Sequence, residues 1–308
     1  FYNTEAIVQE LMNAGKTLAD ARRGGTSGCV ETGAFGNEAY ILTGYFNIPK
    51  VFELTLNNGY DKVSKKQLGL QLGYAADFKT YDELFDAFKK QMKYFIDVKI
   101  QGSNIIEKIF ADCMPAPFLS ILTNDCIAKG KDYNAGGARY NTKYLQGVGI
   151  GTITDCLAAV KYNVYDKKNF TMDELMAALD DDFIGHERIL NLVKNHSPKY
   201  GNDDEYADEI MKQVFEYYQG EVTGRPNMLG GMYRVNMLPT TCHVYFGEVM
   251  MASTNGRLAH VPVSEGISPE KGADVNGPTA VIKSCAKMDH LMTGGTLLNQ
   301  KFTPSVVA

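Results

Sequence analysis

Cys29 and Glu31 stand two residues apart inside the run Gly24-Gly25-Thr26-Ser27-Gly28-Cys29-Val30-Glu31-Thr32-Gly33-Ala34-Phe35-Gly36, which holds five glycines in thirteen positions. Each glycine adds backbone entropy that a helix or strand would have to overcome, so the run predicts a loop with Cys29 near its middle. A phosphate cradle would need GxxxxGK[ST] or GxGxxG between a strand and a helix. Gly28, Gly33 and Gly36 have neither spacing, and no Lys follows. A thiolate nucleophile would need a nearby His, Lys or helix N-terminus. The loop offers only Arg22 and Arg23 upstream, while Glu31 opposes ionisation. A neutral thiol beside a carboxyl suits hydrogen-atom transfer by a sulfur radical, with the carboxyl moving protons. The plain alternative is a surface loop whose cysteine is incidental.

The remaining candidates read as structure. Cys113, Cys126, Cys156, Cys242 and Cys285 form no CxxC pair, and the sole His close to any of them is His243, so no metal site is expected. In a chain of this size, rich in Met, they read as reduced, buried small hydrophobes of a cytoplasmic protein. Asp180-Asp181-Asp182 and Asp203-Asp204-Glu205 read as solvated helix edges, since a calcium loop needs alternating ligands and a Gly at its sixth position. His243 reads as a structural histidine on a strand.

The elements that must position Cys29 follow from periodicity. Ala6, Ile7, Leu11, Ala14 and Leu18 predict a helix over Thr4 to Arg22. Glu38 to Leu56 reads as helical with a break at Pro49, ending at Asn57-Asn58-Gly59. Thr80…Glu83 and Thr171…Glu174 are capping boxes, the first opening a run to about Phe110. Further helices are expected near 118–129, 152–161, 187–194 and 203–218, and strands at 233–237, 243–246 and 295–302. Helices separated by short strands predict an α/β fold. The chain has 308 residues, 31 Lys+Arg against 36 Asp+Glu, a net charge of −5 and 44% hydrophobic residues. That balance excludes a disordered chain and gives no electrostatic footprint for nucleic acid or an anionic membrane. No apolar run reaches spanning length. No repeat or linker divides the chain, so residues 1–308 read as one domain. It opens on Phe1 without a Met or signal peptide and is expected to be part of a longer protein.

Ser27-Gly28-Cys29-Val30-Glu31 resembles the cysteine loop of the glycyl radical enzymes, relatives of pyruvate formate-lyase. So do Tyr133 to Asn141, Lys199-Tyr200-Gly201-Asn202-Asp203-Asp204, and the segment from Asn255-Gly256-Arg257 through Ser264 to Pro269, Gly277 to Ala280 and Leu298 to Phe302. The motifs run through nearly the whole chain in the family's order. Pyruvate formate-lyase itself has two adjacent cysteines, but here Val30 follows Cys29. The diol and choline lyases continue Cys-Val-Glu-Pro. The stretches Cys29 to Asn47 and Asn236 to His243 look instead like the branch acting on trans-4-hydroxy-L-proline.

The resemblance implies part of a ten-stranded α/β barrel with the cysteine loop, about residues 24–38, at its centre. A glycyl radical would oxidise Cys29 to a thiyl, which removes a ring hydrogen, and Glu31 would serve as acid/base for the departing hydroxyl. Tyr45 and Thr240 match residues that line the substrate pocket. Residue by residue, Tyr45 at a helical position equally suits core packing, and Thr240 after Pro239 suits a turn. The family's Arg-Val-x-Gly-Tyr motif does not occur in the 308 residues. The N-terminal barrel half and the radical-bearing segment are therefore expected elsewhere, and this chain alone is expected to be inactive. The resemblance further implies a radical S-adenosylmethionine activating enzyme as partner, no metal or bound organic cofactor, a homodimer when full length, and an anaerobic cytoplasm. The competing expectations are another glycyl radical lyase, a conventional thiol enzyme with a His beside Cys29, and a non-catalytic α/β domain gripping an anion.

Overall fold

The computed structural model describes residues 4–27 and 29–302. Gly28 of the cysteine motif, the first three residues and the last six lie outside that description.

In chain order the elements before the large helices are α1 (Thr4–Asn13), α2 (Leu18–Arg22), the strand pair β1 (Gly25–Thr26) and β2 (Thr32–Gly33), β3 (Glu38–Asn47) and α3 (Ile48–Leu56). A small hairpin, β4 (Tyr60–Asp61) and β5 (Lys66–Gln67), precedes the 33-residue α4 (Tyr81–Cys113), α5 (Pro117–Leu122) and α6 (Cys126–Lys129). The rest is β6 (Tyr140–Val148), α7 (Ile150–Val160), α8 (Met172–Asp180), α9 (Glu187–Asn195), α10 (Glu205–Val222), β7 (Tyr233–Asn236), α11 (Cys242–Glu248) and α12 (Pro278–Ala286).

β3, β6 and β7 form one parallel sheet in that order. Phe46, Leu145, Val235 and Met237 face a core shared with α3, α4, α7 and α10. Phe46 packs on Tyr218 with ring centroids 5.5 Å apart, and Phe52 of α3 meets Phe88 of α4 edge-on. Alternation along a strand sends Tyr144, Gln146, Arg234 and Asn236 to the opposite face, and the cysteine turn sits on that face. The α/β expectation holds.

Both capping boxes are present, Thr80 with Glu83 and Thr171 with Glu174. Several expectations change. The first helix breaks after Asn13, where Gly15 takes φ +85°, and Thr17 accepts a bond from Asp20 N to start α2. Residues 38–47 form a strand, not a helix. Its Tyr, Ile, Thr and Phe side chains suit a pleated surface, and its backbone groups pair with β6. Asn47 caps Lys50 N with Pro49 in the first turn, so strand passes directly into helix. Tyr45 is thus on a strand. β6 was not expected, because its buried face carries polar side chains and breaks the apolar signal. His243–Phe246 belongs to α11, since four alternating residues cannot separate strand from helix. Residues 295–302 supply a single parallel bridge, Met237 to Thr296. Cys113 is exposed and Cys242 half-buried, whereas Cys126, Cys156 and Cys285 are buried as expected.

Candidate active site

The glycine-rich run folds as a tight turn between two short strands. β1 and β2 pair antiparallel with Thr26 opposite Thr32. The glycines are required by contact: a Cβ on Gly24 would stand 2.5 Å from the Gly33 carbonyl, and one on Gly33 would enter the Tyr40 ring at 2.4 Å. At the exit, Glu38 is buried and pairs with Lys16 at 2.7 Å, and it accepts from Ala34 N at 2.8 Å and from the Thr142 hydroxyl.

Cys29 is exposed at the turn, whereas Glu31 is buried. Ser27 closes the turn twice. Its hydroxyl donates to Glu31 Oε2 at 2.6 Å, and its N–H donates to the Glu31 carbonyl at 2.8 Å. Glu31 therefore has a fixed carboxyl within two residues of Cys29 in the chain. Cys29 and Val30 line a cleft of about 580 Å³ with Glu10, Thr26, Thr32, His290 and Thr296. Glu31, Tyr45 and Thr240 are not among its wall residues.

Tyr45 and Thr240 form a second pair, with hydroxyls 3.1 Å apart. The Thr240 hydroxyl donates to the Pro239 carbonyl at 2.7 Å, so the proton in the shared bond comes from Tyr45. Thr240 takes φ +50°, an uncommon conformation for a β-branched residue. The structure thus joins Tyr45 to Thr240, while Cys29 lies on the cleft wall and the Glu31 carboxyl bonds Ser27 in the same turn.

His290 is the histidine on the cleft wall, and it is already committed. Nε2 lies 3.0 Å from the Cys285 carbonyl, an acceptor, so Nε2 carries the proton; Nδ1 then accepts from the Thr296 hydroxyl at 2.9 Å. Burial pushes its pKa down, favouring the neutral ring. It is not poised to take a proton from Cys29, which counts against a thiolate mechanism.

Sequence reasoning missed Glu10, Tyr144 and Arg234. Arg234 is a buried cation inside a run that otherwise reads as a core strand, and that mismatch was the available signal. Gln146 and Asn236 are neighbours in register on the same face, both fully buried, and their side-chain polar atoms have no bonding partner among the described residues. His243 is half-buried with Nδ1 likewise unbonded, and it does not adjoin Cys29's cleft. Among the described residues no group of three or more His, Cys, Asp or Glu could hold a metal, and no helix is long and apolar enough to cross a membrane.

The sequence profile of the Pyruvate formate lyase-like family matches residues 1–247, and that of the Glycine radical family matches residues 263–308. The chain belongs to the pyruvate formate lyase-like family. Within it, the chain is 70% identical over 307 residues to the trans-4-hydroxy-L-proline dehydratase of Clostridioides difficile, matching 100% of this chain and 39% of that protein. It is 34% identical to the (2S)-3-sulfopropanediol dehydratase of Klebsiella oxytoca, across 100% of this chain and 38% of that protein. The crystal structure of the Clostridioides difficile hydroxyproline dehydratase with trans-4-hydroxy-L-proline bound superposes with a TM-score of 0.98, over 100% of this chain and 39% of that one. The glycerol-bound B12-independent glycerol dehydratase of Clostridium butyricum superposes at 0.95 with 40% identity, over 99% and 39%. The chain therefore spans about two-fifths of the length of these relatives.

Proposed function

We propose that this chain is the cysteine-bearing part of a glycyl radical dehydratase that removes water from trans-4-hydroxy-L-proline. The observation that carries the reading is 70% identity along the whole chain to a protein named for that reaction. The Ser27–Glu31 turn, which fixes the Glu31 carboxyl two residues from Cys29 in the chain, supports it. The three parallel strands would be part of a ten-stranded barrel, completed by polypeptide outside these 308 residues. The radical-bearing glycine would lie on that further polypeptide, installed by a radical S-adenosylmethionine enzyme.

The residues present suit such a group. Cys29 faces a cleft rather than a histidine base, and the segment from residue 263 that matches the Glycine radical family lies directly against the cysteine turn. When formed, the glycyl radical supplies the unpaired electron. Cys29 then takes a hydrogen atom from the ring carbon next to nitrogen, forming S–H as C–H breaks. The neighbouring C–O bond breaks as Glu31 gives its proton to the hydroxyl, and water leaves. Cys29 returns its hydrogen atom to the ring carbon that lost the hydroxyl. The ring nitrogen loses a proton, which restores Glu31, and the product is pyrroline-5-carboxylate. Tyr45 and Thr240 would hold the substrate's polar groups. The enzyme would be a homodimer working in an anaerobic cytoplasm.

The test is product analysis of the full-length, anaerobically activated enzyme. Pyrroline-5-carboxylate from hydroxyproline, abolished by Cys29→Ala, is the expected result. An aldehyde from a diol or from choline would make it another lyase of the family. Unchanged turnover in Cys29→Ala would refute Cys29 as the hydrogen-atom carrier, and no product from any of these substrates would favour a binding domain.

A further inference from the structure

Arg234, on β7, is connected to the cysteine turn by contacts that the proposed chemistry does not itself use. The side chain is buried, 6% exposed. Its guanidinium pairs with Glu10 of α1, donates through Nη2 to the Thr293 carbonyl at 3.1 Å, and brings Nη1 to 3.5 Å from the Tyr144 hydroxyl. Tyr144 is its neighbour in register on β6. Tyr144 donates to the Thr32 carbonyl at 2.9 Å.

The segment held by Arg234 completes a circuit. Thr32 N–H donates to the Gly294 carbonyl at 2.9 Å, and Gly294 N–H donates to the Val235 carbonyl at 2.8 Å. Thr32 follows Glu31 directly; its C=O is tied to the Tyr144 hydroxyl that Arg234 touches, and its N–H to Gly294, the residue after the Thr293 carbonyl that Arg234 holds. Steric fit tightens the same strap. A Cβ on Gly294 would enter the Tyr144 ring at 2.0 Å, and one on Gly295, at φ +133°, would meet the Val30 carbonyl at 2.2 Å. Glu10 and Thr32 share the cleft wall with Cys29.

We propose that Arg234 is a positioning residue for Cys29: by pinning Thr293–Gly295 and Tyr144 on either side of Thr32, it sets where the cysteine turn lies on the sheet. A planar fork with several donors can serve a carboxylate, a hydroxyl and a carbonyl together, which a lysine cannot. The proposal rests on the reading of Cys29 as the hydrogen-atom carrier, but its structural core is measured without turnover.

Removing Arg234 alone strands Glu10 as a buried charge and can unfold the chain. The informative variants are therefore Tyr144→Phe and the double Arg234→Met/Glu10→Met. Amide hydrogen exchange at Thr32 and Gly294 is expected to quicken about tenfold in both, with Leu145 and Ile153 unchanged. Iodoacetamide labelling of Cys29, followed by peptide mass mapping, should rise at least about threefold while exposed Cys113 serves as an unchanged internal control. In the full-length activated enzyme, Tyr144→Phe should lower kcat about tenfold and leave KM within about twofold. Exchange at Thr32 and Gly294 equal to the parent, or quickened equally at every buried amide, overturns the proposal, as does a rise in KM alone. If Cys29→Ala proves active, the functional reading fails while the exchange result stands on its own.

Discussion

Lys16 is expected to be indispensable to the exit of the cysteine turn, and Lys16→Met is the direct test. Lys16 and Glu38 are buried together, with side-chain exposures of 1% and 0% and a 2.7 Å contact. Glu38 also accepts from Ala34 N and from Thr142, so the variant would leave a buried carboxylate held by two neutral donors. Breaking one side of a buried ion pair costs about 3–5 kcal/mol. For a chain of this size that corresponds to a fall in melting temperature of roughly 5–8 °C. Lys16→Met/Glu38→Gln removes both charges and should return to within about 1 kcal/mol of the parent. Urea unfolding followed by circular dichroism measures both variants. A loss below about 1 kcal/mol in the single variant would mean that water reaches Glu38, against the geometry. A double variant as damaged as the single would assign the loss to packing instead of charge.

Other expectations follow from the same structure. Glu31→Gln keeps the acceptor for the Ser27 hydroxyl, so folding should persist while turnover of the activated full-length enzyme drops about 10²–10⁴-fold; near-parent kcat would refute the acid role. Burial pushes the Asp155 carboxyl up to about 7. The folded state then keeps a proton that the unfolded chain releases above about 4, so stability falls as pH rises from about 4 to 7 and levels off beyond. Asp155→Asn, which retains the bond from Tyr200 N, should flatten that slope in unfolding curves across the window; an unchanged slope would exclude Asp155 as its source. Gln146→Met with Asn236→Leu removes polar atoms that are buried without partners, and should raise the denaturation free energy by about 1–3 kcal/mol. A decrease would show that both amides are satisfied by buried water.

What the sequence by itself determined is local. The glycine density between Gly24 and Gly36 announces a loop because backbone entropy and steric contact act residue by residue, and the Cys29–Glu31 spacing survives folding because both belong to one five-residue turn. The capping boxes at Thr80 and Thr171 were legible for the same reason. Only the tertiary structure made residues 38–47 a strand, since their hydrogen-bond partners lie a hundred residues away on β6 and no local propensity records that pairing. It also decided which groups reach the turn. Thr240 meets Tyr45 across 195 positions, and Arg234 reaches Glu10 across 224. The cleft beside Cys29 draws on Glu10 of α1, on Cys29, Val30 and Thr32 of the turn, and on His290 and Thr296 far along the chain. Long-range contacts carry no period in the sequence; they exist because closing those loops is repaid by burying paired charges and the apolar face of the sheet.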